Sequence, residues 1–146
     1  MTDYKEELIR GRKEYQERLL EVQIEQDEYF VNDLCSKIVH TYRNNYIRRN
    51  KEIVEVYICP SLNGGTWLDV DEHIKANFVY MSKTHNSQKP HYIPKHLVLA
   101  LRYQLAKEYG LIFTEELSTM QVNCINTSKP PHRYKMTINK ITIKLK

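Results

Sequence analysis

The basic side chains near the C-terminal end of the chain are the residues whose type and spacing most clearly indicate a chemistry. Between residues 117 and 146 there is no Asp or Glu and there are six Lys or Arg residues: Lys129, Arg133, Lys135, Lys140, Lys144 and Lys146. The other 116 residues carry sixteen basic and eighteen acidic side chains, so this segment's +6 and their −2 make up the net charge of +4. A basic segment segregated in this way is typical of a surface that binds an anion, such as nucleic acid or an acidic protein surface.

Apolar and polar residues alternate along this segment, which predicts a long β-hairpin. Two sets of three apolar residues keep opposite phases of the alternation: Tyr134, Met136 and Ile138, and then Ile141, Ile143 and Leu145. A β-bulge at 139–140 would return both sets to one face and collect the basic side chains in a stripe on the other. We expect this stripe to contact phosphates and Tyr134 to stack on a base. The alternative is a solvated face whose lysines protect an edge strand from aggregation.

A second basic cluster lies at the C-terminal end of the long N-terminal helix that the sequence predicts. Its members are Arg43, Arg48, Arg49 and Lys51. Cations near the C-terminus of a helix interact favourably with the helix dipole, which is a sufficient reason for their presence. In the alternative interpretation, Arg48 and Arg49 extend the anion-binding surface of the hairpin.

Residues that could bind a metal ion occur in two short segments, and neither has the spacing of a known site. Three histidines lie within twelve residues, without a C-x₂-C, H-x₃-H or H-E-x-x-H pattern: His85, His91 and His96. Asp69, Asp71 and Glu72 could hold Mg²⁺ for phosphoryl chemistry, but Asp69 and Glu72 also have the spacing of a helix capping box. We expect no metal site, no cofactor and no enzymatic activity. A Mg²⁺-dependent nuclease built on the three acids is the enzymatic alternative.

The first third of the chain predicts a helix that is longer than one domain needs. Neither Gly nor Pro interrupts it after Gly11, and a helix over roughly 4–47 would span about 65 Å. From Phe30 onward its apolar residues form a broad stripe that needs a core, whereas before Phe30 they thin out. We therefore divide the chain into a helical arm, residues 1–29, and one α+β domain, residues 30–146.

Four apolar residues of the arm have roughly heptad spacing and form what we call the seam: Leu8, Tyr15, Leu19 and Val22. A row with this spacing is typical of helices that pair with another helix. We expect the arm to project, to pair with a partner helix, or to fold back after a break near residues 26–28. A solvated helix without a partner is the remaining alternative.

The rest of the sequence predicts a small antiparallel sheet packed on helices. Strands are predicted at about 53–59, 118–126 and 133–145, and helices at about 30–47, 70–82 and 94–109. Pro94 occupies the first position of the last helix, and Gly110 follows its end. The order is helix, strand, helix, helix, strand, strand. It resembles the order of a winged-helix domain in topology alone.

Composition sets few limits on function. The three cysteines are odd in number and far apart, which is typical of buried thiols in a reducing compartment. The N-terminus lacks the apolar segment of a signal peptide, and no apolar run is long enough to cross a membrane. We therefore expect an intracellular protein without a membrane partner. Abundant Tyr, Lys, Asn and Ile often accompany AT-rich coding sequence, as in many viruses.

Two functional hypotheses follow, and they are compatible with each other. The leading hypothesis is a non-enzymatic nucleic-acid-binding protein whose basic hairpin contacts phosphates without sequence preference. The alternative is a structural subunit of a larger assembly. In that case the N-terminal helix is the interaction element, and the basic hairpin docks on an acidic protein surface.

Overall fold

The computed structural model describes residues 2–62, 65–68, 70–81, 92–126 and 129–146. Within them the chain forms three helices and five strands: α1 Thr2–Arg49, β1 Ile53–Cys59, β2 Gly65–Leu68, α2 Glu72–Lys75, β3 Phe78–Tyr80, α3 Lys95–Tyr109, β4 Leu111–Asn126 and β5 Lys129–Leu145. The predicted α+β class is confirmed, with its long N-terminal helix and its C-terminal hairpin on helices. The winged-helix resemblance stays a prediction.

The five strands form one sheet, in the order β2-β4-β5-β1-β3. β4 and β5 form the long hairpin, and β5 also pairs antiparallel with β1. β3 lies parallel to β1, so the sheet is mixed and not purely antiparallel as predicted. β2 pairs antiparallel with β4 at the opposite edge.

α1 is continuous from Thr2 to Arg49, so a break near residues 26–28, which is one of the arrangements that the sequence allows, is not present. Among its described side chains Phe30 is the first that is buried, and three more follow at four-residue steps: Leu34, Ile38 and Tyr42. This half of α1 packs with α3 on one face of the sheet. The division between arm and domain falls where burial begins, and as a domain boundary it stays a prediction.

α3 has nearly the boundaries that the sequence predicts. Pro94 lies immediately before the helix, and Gly110 ends it in the left-handed region with a φ of 64°. The Gly110 N–H donates to the Ala106 carbonyl oxygen at 3.1 Å. Glycine adopts this conformation at little cost because it has no Cβ. The buried face of the helix consists of Leu97, Val98, Leu101 and Leu105.

The predicted helix over 70–82 is wrong for most of its length. α2 covers only four residues, and the chain then enters β3. Phe78 and Val79 are buried there because β3 adds to the edge of β1, with Phe78 opposite Tyr57. The spacing of the apolar residues fits a helix, but an aromatic and β-branched run gains more from a strand partner.

The predicted β-bulge at 139–140 is also wrong. Cα pairing between β4 and β5 is regular from Leu111 opposite Leu145 to Cys124 opposite His132. The register shift that these strands show lies beyond Cys124, near the turn. Side chains of β5 therefore alternate between the two faces without interruption through 139–140.

The two apolar phases of β5 belong to two cores on opposite faces of the sheet. The first core lies between the sheet and the helices α1 and α3, and its strand residues include Val54, Val56, Ile141 and Ile143. The second core lies on the other face and includes Tyr57, Trp67, Phe78, Val122, Met136 and Ile138. The phase change in the sequence marks the point at which β5 passes from one core to the other.

The curvature of the sheet closes the second core. Trp67 lies on the edge strand β2, and Phe78 lies on the opposite edge strand β3. Their ring centroids are nevertheless 5.4 Å apart, with an interplanar angle of 75°. Strands at the two edges meet in this way only in a strongly twisted and curled sheet.

Three buried asparagines hold the surrounding segments to the sheet and to each other. Asn139 Oδ1 accepts a hydrogen bond from the Ile93 N–H at 2.7 Å, and its Nδ2 donates to Glu115 Oε1 at 2.9 Å. Asn45 Nδ2 of α1 donates to Asn77 Oδ1 at 3.0 Å, just before β3. Buried amides without partners are costly, so these bonds fix where each segment lies.

Candidate interaction surfaces

The arm is a helix without a core beneath it. Every side chain from Asp3 to Gln26 is exposed. The seam residues keep between 49% and 61% of their surface accessible: Leu8, Tyr15, Leu19 and Val22. A helix that packs against nothing is only marginally stable in water. The structure brings the four seam residues onto one accessible side of α1, and their contact with a partner stays a prediction.

A strict heptad repeat on this side of the arm was missed from the sequence. Tyr29, which is 58% exposed, continues the seven-residue steps of Leu8, Tyr15 and Val22. A glutamate directly precedes each of these four residues, and we call this set the glutamate row: Glu7, Glu14, Glu21 and Glu28. None of the four takes part in an ion pair within the described part of the chain. Counting at a fixed period of seven would have found the repeat.

An open groove separates α1 from α3 where the arm meets the domain. It has a volume of about 520 Å³, and its apolar lining includes Ile24, Val31, Leu97 and Tyr103. Gln104 Nε2 donates across it to Asn32 Oδ1 at 2.7 Å. Ile24 lies two residues from Val22, which is about 200° round the helix. The groove and the seam are therefore on different sides of α1.

The structure separates the basic residues of the hairpin. Arg133 and Lys135 project from the face of β5 that carries the first core, and Lys140 and Lys144 project from the other face. The predicted one-sided basic stripe is therefore wrong. The side chain of Lys129 lies outside the described residues. The exposed members are Arg133, Lys135, Lys144 and Lys146.

Lys140 is paired with acids from the neighbouring strands. Its Nζ lies 3.5 Å from Glu55 Oε1 on β1 and 3.2 Å from Glu116 Oε1 on β4. The hydrogen bond to Glu116 raises the pKa of Lys140, and the nearby Glu55 carboxylate acts in the same direction. Tyr57 donates from its hydroxyl to the other oxygen of Glu55 at 3.2 Å. Two carboxylates therefore compete with any phosphate for this ammonium group.

Tyr134 lies near the tip of the hairpin but is half-buried. Its side chain packs against the second core, on the same face as Met136. Because part of the ring is covered, only the remainder is accessible to a base. Its predicted role in stacking stays a prediction.

Arg48 and Arg49 lie near the open end of the hairpin, which is opposite its tip. α1 ends at Arg49, and β1 begins at Ile53, whose partner on β5 is Lys144. At about 3.3 Å per residue, Lys144 is up to about 36 Å from Arg133 along the strand. The basic residues therefore form two groups, one at each end of the domain.

The acidic cluster is described only in part, because Asp69 lies outside the part of the chain that the structure describes. No group of three or more His, Cys, Asp or Glu side chains there is arranged to hold an ion. Asp71 precedes α2 as its N-cap but makes no side-chain capping bond, and Glu72 Oε1 lies 3.6 Å from Lys75 Nζ. Three of the predicted candidates lie outside the described residues: Asp69, His85 and His91.

Two cysteines are buried as free thiols, Cys35 in the first core and Cys59 in the second. Burial raises the pKa of Cys35 to about 11 and also raises the pKa of Cys59. Both therefore remain protonated near neutral pH. A protonated and buried thiol is a poor nucleophile and a poor metal ligand.

Comparison with known proteins gives no assignment. No protein-family model matches the chain, and neither a curated protein nor a solved structure matches it significantly. No helix within the described ranges is both long enough and apolar enough to cross a membrane. A functional proposal therefore rests on the surfaces of the chain itself.

Proposed function

We propose that this protein is a structural assembly subunit that associates with further copies of itself through the arm. The observation that carries the proposal is the continuous helix beyond the domain whose side chains are all exposed from Asp3 to Gln26. A second helix along the seam would cover its apolar side chains, which stabilises a complex by about 25 cal/mol for each Å² buried. It would also hold in place a helix that is marginal alone.

Light scattering of the full chain over a range of concentrations tests the proposal, with two matched variants. Tyr15 and Leu20 are both 61% exposed, but Tyr15 lies in the seam and Leu20 lies about 140° round the helix. We expect Tyr15→Glu to weaken self-association at least about tenfold, because each copy then places a charge in an apolar contact. Leu20→Glu introduces the same charge on the other side and should leave the mass unchanged.

Two results would count against self-association through the arm. One is a full-length chain that stays monomeric at every concentration. The other is an equal loss of association in Tyr15→Glu and Leu20→Glu, which would mean that the seam has no special role. Circular dichroism and thermal unfolding of the domain should be the same in both variants, since neither residue contacts a core.

Binding of nucleic acid by the hairpin is a second candidate function, favoured by the part of the hairpin nearest its tip. Beyond Glu116 the sequence has no acid, and Arg133 and Lys135 are exposed on one face. Neither forms an ion pair within the described residues, in contrast to Lys140. Phosphate contacts made there would be independent of base sequence and would weaken steeply with salt.

Fluorescence anisotropy with labelled duplex DNA, single-stranded DNA and RNA tests this second candidate at about 50 and about 200 mM salt. Arg133→Glu combined with Lys135→Glu should abolish binding. Lys144→Glu, at the other end of the same strand, should change it little. Unchanged binding by the folded double variant, or no binding at the lower salt concentration, would remove this candidate.

A further inference from the structure

We infer that two copies pair through their arms in parallel and in register, so that each seam residue meets its own counterpart. The inference rests on the proposed self-association and adds the identity and direction of the partner helix. It is carried by the charges on the two sides of the seam, together with the position of the domain relative to the seam.

The two sides of the seam differ sharply in charge. Taking about 100° per residue, the glutamate row and Glu25 lie on one side of the line through Leu8, Tyr15 and Val22. Within about 110° of that line Arg18 is the single base on this side, because Arg10 lies about 160° round the helix. Within the same angle the other side has no acid and presents two bases and three amides: Lys5, Arg12, Gln16, Gln23 and Gln26. Glu6 and Asp27 lie farther from the seam, about 160° round the helix.

This asymmetry distinguishes the two ways of pairing identical helices. In a parallel pair each side of one helix faces the opposite side of the other, so the acidic side meets the side without acids. Glu7 of one copy then lies next to Arg12 of the second copy, and the reciprocal pair forms by symmetry. In an antiparallel pair like sides meet, which places Glu14 near Glu21 of the second copy. Facing acids oppose that arrangement.

The position of the domain also permits parallel pairing. Leu34, which is 1% exposed in the first core, lies five residues and therefore about 140° round the helix from Tyr29. The seam therefore points away from the sheet. Ser36 and Arg43 continue the seven-residue steps beyond Tyr29, and both are exposed. Two parallel arms can thus meet along this line while their domains lie on the outer sides, at the same end of the pair.

Cysteine cross-linking in the full chain tests the direction of pairing. In a parallel pair, Leu8→Cys brings two copies of the thiol close enough to form a disulfide, which requires Cα atoms about 4.4–6.8 Å apart. In an antiparallel pair, residue 8 lies level with Tyr29, and the two copies of residue 8 are about 30 Å apart. Glu6→Cys is the matched control, because Glu6 is exposed at nearly the same level but about 160° round the helix. The parent chain reports the background of its three native cysteines.

We expect Leu8→Cys to form an intermolecular disulfide with itself under mild oxidation, while Glu6→Cys stays at the background of the parent chain. Cross-linking that needs a mixture of Leu8→Cys and Tyr29→Cys would overturn the parallel arrangement and leave self-association standing. A monomeric chain without cross-links would overturn both. Equal yields from Leu8→Cys and Glu6→Cys would indicate random collision and would also overturn the inference.

A charge exchange within one chain gives an independent readout. In the parallel pair, Arg12→Glu places an acid opposite Glu7 twice, so self-association should weaken about fivefold. Adding Glu7→Arg to the same chain restores opposite charges and should restore the affinity. If both variants associate as the parent chain does, the two side chains do not face each other, and the parallel register is wrong.

Discussion

The two halves of α1 share one continuous backbone but have different surroundings. Between Phe30 and Tyr42 the apolar residues recur at four-residue steps, and they are buried against the sheet and α3. Between Leu8 and Tyr29 four of the apolar residues lie at seven-residue steps, and all of them remain exposed. Four-residue steps with flanking apolar residues make a stripe wide enough for a sheet, whereas seven-residue steps make a narrow line that matches another helix. The spacing of apolar residues on a helix therefore indicates what kind of element covers them.

The largest expected difference between the two halves of α1 is in how far an alanine substitution lowers the free energy of unfolding, and Ile38→Ala and Leu20→Ala measure it. Ile38 is fully buried, and its truncation leaves a cavity that should lower the free energy of unfolding by about 2–5 kcal/mol. Leu20 is 61% exposed, and Leu20→Ala should change that free energy by at most about 0.5 kcal/mol. Urea denaturation of both variants measures the difference. A comparable loss in Leu20→Ala would place the arm within the cooperative core.

Asn45→Ala tests a polar contact made by the buried half of α1. It should lower the free energy of unfolding by less than Ile38→Ala does. The substitution leaves Asn77 Oδ1 without the hydrogen bond that it accepts at 3.0 Å, which should cost about 1–3 kcal/mol. Asn44→Ala is the neighbouring control, because Asn44 bonds to His40 on the same helix and is not fully buried. Equal unfolding midpoints for the two variants would show that the Asn45–Asn77 contact does not hold α1 to the sheet.

Local signals in the sequence were sufficient to predict α1, β1 and α3. The boundary of α3 depends on Pro94 and Gly110, whose backbone preferences act within one turn. The exposed seam was also predictable, because a helix displays its own residues at fixed angles whatever lies elsewhere. In these regions the chain carries the relevant information within a few residues.

Contacts between distant segments explain what the sequence did not predict. Phe78 belongs to a strand because β1 offers it a parallel edge about twenty residues away in the chain, and spacing cannot show that edge. The phase change in β5 predicts a bulge only for a sheet with one core, whereas this sheet has a core on each face. The acid-free segment around Lys140 predicts an unpaired ammonium group, but strand pairing brings Glu55 and Glu116 from neighbouring strands beside it.

Gly11→Ala has the smallest expected effect and tests whether the two halves of α1 unfold separately. A Cβ added at Gly11 meets no atom within 4 Å, so the substitution introduces no clash. Alanine is favoured over glycine inside a helix by about 1 kcal/mol. We expect this gain to be confined to the arm, since the exposed residues 3–26 can open without disturbing the core of the domain. Hydrogen exchange should slow about fivefold for amides between residues 3 and 26, with unchanged rates for Leu34 and Ile38. If exchange at Leu34 and Ile38 slows to the same extent, the helix opens as one unit and the contrast between its halves is wrong.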